Sequence, residues 1–435
     1  MTPLRAVTAA AASVLVLFVR ATSAISSLST TSFSLKYSLD ISGNDAGTSY
    51  YIEVAFGADA STYNMVIDTY SYDLWVYSSS CMNTSCVDHN SLGSDDSSTL
   101  TVNEDETWAI AYYQGTVSGV VGNDYVSFAG YNTSMGFGLA ESVPDAFDSL
   151  PLDGIIGMAH SAEQMNGNPT VMYALYDSSL IPRKVFSIDL GDPSSSSSGS
   201  MTLGGVDTSR FTGSVSYVSV ANSSIQWLVD VDDAYVNGTA LGFSGKSAYV
   251  DTGTTYTLMP SADALVLHAA ILAKSTGGGD GVVRYDGENY VVPCNVTSTI
   301  AFGFAGAQWT LQPEQYLSSD IGDGLCVTNI QGRTVDGANV WLMGSSFIGT
   351  LYVVFDMDAD QVGFAKIGSG GTDPYNDASA AKAASTTLTV ASMSSTSSSI
   401  TTSSTTSSSS TPTIYIDIYI ADSTLDCDDM VRGFN

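Results

Sequence analysis

The sequence predicts a mainly β protein made of two related halves. Between Ser49 and Ile367, short runs rich in Val, Ile, Tyr and Phe alternate with Gly, Asn, Asp and Ser, which is typical of strands separated by turns. Long helical periodicity is almost absent, and only 170–177 and 261–274 are predicted as brief helices. The predicted strands are Tyr50–Phe56, Thr62–Ile67, Trp108–Tyr113, Ser214–Val220, Ser247–Val250, Tyr290–Pro293 and Leu351–Phe355.

A weak internal duplication indicates the two halves. The segment Val66–Thr69 ends in Asp-Thr and is followed about ninety residues later by the apolar-apolar-Gly segment Ile155–Gly157. Tyr249–Thr252 also ends in Asp-Thr and is followed at a similar distance by Leu342–Gly344. A third apolar-Asp-Thr segment, Val206–Thr208, has no such companion, and we interpret it as a turn.

Composition and charge exclude several classes of function. The 435 residues include 13 Lys+Arg against 44 Asp+Glu, a formal net charge of −31. So acidic a surface would repel phosphate backbones and anionic lipid headgroups, and we expect no nucleic-acid partner. The three His are far apart in sequence, and no metalloprotease, nucleotide-binding or serine-esterase motif occurs. We therefore expect no metal and no cofactor.

The two ends of the chain differ from its body. Residues 1–24 predict a signal peptide, with Arg5, an apolar run and small residues before position 25. We expect 25–48 to be a short pro-segment or extension, 49–190 the first lobe and 191–368 the second. Residues 369–435 are rich in Ser and Thr and predict a disordered stalk and tail, released or associated with a cell wall or surface.

Secretion makes disulfide bonds permissible. Cys81 and Cys86 bracket four residues, Cys294 and Cys326 close a longer loop, and we expect these two disulfides. Cys427 is then left over. Glycosylation triplets fit the same compartment and occur at Asn83, Asn132, Asn222, Asn237 and Asn295.

The two Asp-Thr segments predict a pair of carboxyl groups. If the loops meet across a pseudo-twofold axis, Asp68 and Asp251 come close together, and two like charges at that distance share one proton. The ionised member can then take a proton from water while the protonated member donates one to a carbonyl oxygen. Two identical residues thereby supply a general base and a general acid.

With these residues, the body of the chain resembles the pepsin-like aspartic endopeptidases, of the secreted fungal or yapsin-like type. That family is the standard example of one proton shared between two Asp. The resemblance implies a bilobal fold, with two pseudo-twofold-related β lobes and a cleft between them. The motifs that carry it occur in the family's order and are 66–76 with Cys81 and Cys86, 153–157, 185–190, 203–207, 249–255, and 341–344 with 354–356 and 362–365.

The resemblance also implies a role for individual residues. Asp68 and Asp251 match the catalytic pair. Tyr112 matches the flap tyrosine that closes over the substrate, with Tyr113 as the second choice, and Trp75 matches the residue that braces it. The supporting loop residues are Thr69, Ser71, Thr252, Gly253 and Thr254, and the tight strand crossings are at Gly157 and Gly344.

Tyr70 is the main departure from the family, which has Gly after the first Asp-Thr. Its amide can still donate to Asp68. The added side chain either projects into the cleft and reshapes the substrate-binding subsites or strains the loop and lowers activity. Only Lys36 offers a base between the predicted cleavage site and Ser49, so self-inhibition by a basic pro-segment is poorly supported.

The charge distribution predicts a substrate preference. No Lys or Arg occurs from Tyr37 through Pro182, so the first lobe should give its half of the cleft a negative potential. We expect peptides with Lys or Arg near the scissile bond to be favoured.

The function expected from the sequence is a secreted, monomeric aspartic endopeptidase that acts on proteins or peptides at acidic pH. Two alternatives stay open. The chain could bind peptide or another protein without cutting it, which Tyr70 favours, or it could be a cell-wall glycoprotein whose stalk is the functional part.

Overall fold

The computed structural model describes residues 31–34, 36–39, 48–58, 61–113, 115–148, 150, 152–191, 198–221, 224–274, 284–375 and 415–416. The predicted signal peptide, Cys427, Asn222 and most of the predicted stalk lie outside this part of the chain. Within it, the protein is mainly β, as the sequence predicts. No helix in the described ranges is long and apolar enough to cross a membrane.

The first half is dominated by one large sheet. Nine strands pair in the order β2-β3-β4-β9-β5-β8-β7-β6-β28, and β3 also pairs with β7. The elements of this half are β1 Thr31–Ser34, β2 Lys36–Leu39, β3 Thr48–Phe56, β4 Ser61–Asp68, β5 Leu74–Tyr77, β6 Thr101–Tyr112, β7 Gly115–Phe128, β8 Tyr131–Ser142, β9 Gly154–Gly157 and β10 Val185–Gly191, with helix α1 Val171–Asp177; β28 is Tyr415–Ile416.

The second half contains three smaller sheets, ordered β13-β16-β25-β17-β24, β15-β14-β20-β21 and β18-β19-β23-β22. The strands of this half are β11 Ser198–Leu203, β12 Phe211–Ser219, β13 Leu228–Val231, β14 Ala234–Val236, β15 Thr239–Ala240, β16 Lys246–Val250, β17 Thr257–Met259, β18 Arg284–Asp286, β19 Asn289–Pro293, β20 Ile300–Phe304, β21 Ala307–Leu311, β22 Leu317–Asp320, β23 Leu325–Thr328, β24 Ile330–Gly332, β25 Val340–Met343, β26 Leu351–Asp356 and β27 Gln361–Ile367. The helices are α2 Ser261–Lys274, α3 Pro313–Tyr316 and α4 Ser345–Ile348.

A further sheet of six strands joins the halves. Its order is β1-β11-β10-β26-β27-β12, so β10 of the first half pairs directly with β26 near the end of the second. Phe186 and Phe355 are partners in this register and stack with ring centroids 4.7 Å apart. The halves therefore share one sheet as well as the cleft between them.

The internal duplication corresponds to paired strands. β4 and β9 run parallel with Val66 opposite Ile155, and β16 and β25 run parallel with Tyr249 opposite Leu342. In each half the second strand of the pair also contacts a third strand, β5 or β17, in antiparallel fashion. The last four residues of β4 are all buried, which explains its continuous apolar run.

Gly157 and Gly344 lie at the tight crossings that the sequence predicts. A Cβ on Gly157 would be 2.5 Å from the backbone nitrogen of Asp73, and one on Gly344 would be 2.2 Å from the carbonyl oxygen of Tyr256. Both distances are too short for any side chain, so these positions require glycine. The two expected disulfides, Cys81–Cys86 and Cys294–Cys326, also form.

Candidate active site

Two equivalent strands, one in each half, each position one carboxyl group in the site. Asp68 is the last residue of β4, and Asp251 directly follows β16. Each main chain is fixed by the crossing strand of its own half: the Met158 amide donates to the Asp68 carbonyl at 2.7 Å, and the Asp251 amide donates to the Met343 carbonyl at 3.0 Å. Both aspartates have zero solvent exposure.

Two threonines join the loops reciprocally. The Thr69 amide donates to Thr252 Oγ1 at 3.2 Å, and the Thr252 amide donates to Thr69 Oγ1 at 3.0 Å. Each hydroxyl then donates across the axis to a carbonyl, Thr69 to Val250 at 2.9 Å and Thr252 to Ile67 at 2.7 Å. These four bonds connect the two Asp-bearing loops, so neither can move independently.

The carboxyl groups face each other. Each lies close enough to the other to affect its pKa. A Cβ added to Gly253 would lie 2.8 Å from Asp68 Oδ1 and 3.2 Å from Asp251 Oδ1, so both groups flank the same point. The structure therefore brings together the two residues that the sequence analysis selected as an acid–base pair.

Each carboxyl group accepts hydrogen bonds from its own loop. Asp68 Oδ1 accepts from the amides of Tyr70 at 2.8 Å and Ser71 at 3.1 Å. Asp251 accepts from the Gly253 amide at 2.7 Å and from the Thr254 hydroxyl at 2.5 Å. The Ser71 hydroxyl lies beside Asp68 and lowers its pKa, but it makes no bond of ordinary geometry, unlike the Thr254 hydroxyl.

The two groups differ in their readiness to ionise. Burial raises the pKa of Asp68, while the nearby Ser71 and Tyr70 amides and the Ser71 hydroxyl oppose this. Burial raises the pKa of Asp251 well above its ordinary value, and the charge of Asp68 raises it further. Two such groups at close range therefore favour a state in which the pair shares a single proton.

Tyr70 occupies the space beside this pair without straining the loop. Its φ is outside the left-handed region that favours glycine, and its amide still donates to Asp68. The ring is buried and packs edge-on against Tyr249, with centroids 4.9 Å apart and planes at 84°. Of the two alternatives left open for Tyr70, the structure therefore favours the unstrained loop, and the ring does not separate the two carboxyl groups.

The β6–β7 hairpin carries the predicted flap residues. The Tyr112 hydroxyl accepts a hydrogen bond from Trp75 Nε1 at 2.7 Å, and both side chains are buried. Burial, and then the nearby charge of Asp68, raise the pKa of the Tyr112 phenol well above its ordinary value. Tyr112 thus faces the catalytic pair, whereas Tyr113 is 55% exposed and contacts the second half.

The contact of Tyr113 involves a residue that sequence reasoning missed. The Arg333 guanidinium lies over the Tyr113 ring, 4.4 Å from its centroid, and donates to its hydroxyl at 3.3 Å. Glu288 forms an ion pair with the same guanidinium. No motif signalled this contact, because its two ends come from different halves of the chain.

Asp73 is a second missed residue. It is buried, accepts hydrogen bonds from Met165 N at 2.9 Å and Trp108 Nε1 at 3.3 Å, and has no bond to Oδ2. Burial raises its pKa to about 6. Its carboxyl group also raises the pKa of Tyr112, which places it near the flap ring. An acidic residue inside the apolar run 72–76 was the available signal.

Each of the three histidines contacts an aromatic ring or a carboxylate. His268 is buried and stacks on Tyr290, His89 stacks on Tyr77, and His160 pairs with Asp360 at 3.0 Å. Among the residues that the structure describes, no group of three or more His, Cys, Asp or Glu could hold a metal ion.

Comparison with known proteins agrees with this geometry. Residues 49–367 match the family model described as eukaryotic aspartyl protease. The chain belongs to that family. The same range carries the resemblance found in the sequence, so this prediction is confirmed, whereas the yapsin-like subtype stays a prediction.

Relatives in this family come from fungi, animals and an amoeba. The chain is 34% identical over 318 residues to the aspartic-type endopeptidase ctsD of Aspergillus fumigatus, covering 73% of this chain and 65% of that protein. It is 32% identical over 333 residues to pepsin A of Sus scrofa, covering 74% and 83%. It is 30% identical over 351 residues to cathepsin D of Dictyostelium discoideum, covering 76% and 89%. The match spans less than two thirds of the length of the first fungal relatives: 65% of the Aspergillus fumigatus protein and 62% of the Arthroderma benhamiae protein.

Proposed function

We propose that the protein is a secreted aspartic endopeptidase that hydrolyses peptide bonds at acidic pH with water activated between Asp68 and Asp251. The observation that carries this proposal is the close pair of fully buried carboxyl groups on two loops that reciprocal threonine bonds join. The relatives named as endopeptidases support the same activity. The predicted signal peptide and the two disulfides support secretion.

The chemistry assigns different roles to the two residues. The Asp68 carboxylate takes a proton from water, whose oxygen attacks the peptide carbonyl, while Asp251 gives its proton to the carbonyl oxygen. When the tetrahedral intermediate collapses, the C–N bond breaks, the amine nitrogen takes the proton held by Asp68, and Asp251 recovers its own from the hydroxyl. Water is consumed and the pair returns to its starting state. Above the pKa at which the shared proton is lost, the reaction stops.

The alternative function, peptide binding without cleavage, is favoured by the presence of Tyr70. The Tyr70 loop retains both amide donors to Asp68 and leaves the pair in contact, so we favour catalysis. The third hypothesis, a wall glycoprotein, depends on residues that are mostly outside the described part of the chain.

The test is cleavage of a denatured protein by the full chain at pH 3 to 6. Cleavage should be abolished by a statine-containing inhibitor and by Asp68→Asn. The matched control is Asp124→Asn, which alters a buried aspartate that accepts hydrogen bonds from Ser97 and Thr99. Cleavage that survives Asp68→Asn, or persists undiminished at pH 8, would refute the mechanism.

We further propose a preference for Lys or Arg near the scissile bond. The first half contributes carboxylates but no Lys or Arg from 37 to 182, and Arg333 at the flap tip is paired with Glu288. Profiling of a peptide library tests this, and equal cleavage with and without basic residues at every subsite would reject it.

A further inference from the structure

The two sides of the catalytic pair are built differently. The residue after Asp68-Thr69 is Tyr70, and its counterpart after Asp251-Thr252 is Gly253. Gly253 cannot carry a side chain in this geometry, because a Cβ there would lie 2.8 Å from Asp68 Oδ1. Tyr70 carries a full phenol ring, and only 6% of the residue's surface is exposed. The two equivalent positions therefore differ: residue 253 has no room for a side chain, whereas residue 70 carries an aromatic ring.

The Tyr70 ring is held in place by the second half. It packs edge-on against Tyr249, a geometry favourable to aromatic rings. The Tyr249 hydroxyl donates to Asp336 Oδ2 at 2.9 Å, which fixes the supporting ring. Tyr249 and Asp336 both belong to the second half. The Tyr70 ring can therefore change its rotamer only by losing its contact with Tyr249.

The segment that supports Tyr249 also contacts the flap. Asp336 belongs to the segment that follows β24, and three residues earlier this segment carries Arg333, which contacts Tyr113 at the flap tip. The same short segment of the second half therefore supports Tyr249 through Asp336 and contacts the tip of the β6–β7 hairpin through Arg333.

We propose that Tyr70 is a specificity-determining residue that restricts one substrate side chain, at a single position next to the scissile bond, to Gly, Ala or Ser. This inference deepens the proposed function and rests on it. An added methylene group that a pocket must reject changes kcat/KM by about 10- to 200-fold. We therefore expect at least about a 10-fold preference for the small residues at that position.

The test is a peptide library in which each position around the cleaved bond is varied, with cleavage sites assigned by mass spectrometry. The unmodified protein should show the size restriction at one position, Tyr70→Gly should reduce it to within about threefold, and Tyr70→Phe should preserve it. Tyr249→Ala should relax the same position, because the ring loses its support. Tyr217→Ala, which removes a half-buried ring in the six-stranded sheet, controls for a general loss of stability and should leave the restriction intact.

Several results would overturn the inference. It is wrong if the unmodified protein accepts Leu or Phe as readily as Ala at every position, if Tyr70→Gly relaxes no position, or if Tyr217→Ala relaxes the same one. If the unmodified protein cleaves nothing at pH 3 to 6, the proposed function fails separately. The inference is then tested by calorimetry, which measures the affinity of peptides that carry Ala or Leu before or after the statine. Equal affinities for all of these peptides would reject the inference.

Discussion

Asp73 gives a quantitative prediction about stability and pH. Its pKa is raised from 3.8 to about 6 because the folded protein buries the carboxyl group. A raised folded pKa means that this group's contribution to stability is fully present below about pH 4, where it is protonated in both states, and is lost as the pH rises through about 6. A pKa difference of about two units changes the free energy of unfolding by about 3 kcal/mol.

The perturbation is Asp73→Asn. The amide oxygen can still accept from Met165 N and Trp108 Nε1, so the packing is retained while the titration is removed. At pH 4 the variant and the unmodified protein should unfold with similar free energies, whereas at pH 7 the variant should be more stable by up to about 3 kcal/mol.

The assay is urea unfolding of both proteins at pH 4 and pH 7, followed by tryptophan fluorescence with the disulfides oxidised. The catalytic pair is the same in both proteins and their net charges differ by one at most, so the difference between them reports the titration of Asp73. A variant that is equally destabilised at both pH values would refute the reasoning, because the carboxyl group would then contribute through hydrogen bonds alone.

Three further outcomes are expected. Thr69→Ala should lower the free energy of unfolding by about 1 to 3 kcal/mol and reduce kcat, while Thr69→Ser, which keeps the hydroxyl, should restore most of both; unchanged kcat in the Ala variant would contradict a positioning role. Replacing Cys294 and Cys326 by Ala should cost about 4 kcal/mol, since the disulfide closes a loop with a sequence separation of 32, and calorimetry should show the loss as a lower Tm. Trp75→Phe should remove the hydrogen bond to Tyr112 and raise KM for peptides by about 3- to 10-fold, and an unaltered KM would exclude a bracing function.

Much of the architecture was predictable because it follows from local patterns. The two Asp-Thr segments and their companion glycines specify which strands pair, and Val66 is opposite Ile155 in the structure. Helices α1 and α2 coincide with the predicted 170–177 and 261–274 to within a residue. The expected disulfides also formed, since each pair of cysteines joins neighbouring segments.

The long strands β7 and β8 were missed because their glycines resemble turn signals. Gly119 lies so close to the backbone of Leu139 that a Cβ would be 1.9 Å from its oxygen, and Gly138 makes room for the Trp108 ring. These glycines permit close packing within a sheet and do not end strands. A single sequence does not distinguish the two uses, because the neighbour that needs the space is remote along the chain.

The site was predictable at its centre and not at its edges. Asp68 and Asp251 follow from a repeated motif, whereas the position of the Tyr70 ring depends on Tyr249, and that of Tyr113 on Arg333. The last two residues are separated by 220 positions. Contacts of this kind arise only when the halves are assembled, so no local pattern encodes them.

The six-stranded sheet has a consequence for synthesis of the chain. Strand β10 is made early, yet one of its two neighbours, β26, is among the last strands to leave the ribosome. Until then β10 presents an open edge with unpaired amide and carbonyl groups, which is a hazard for aggregation. The six-stranded sheet therefore stays incomplete until β26 has been made. Because the two strands are far apart in sequence, their pairing should be slow and should limit the rate of folding.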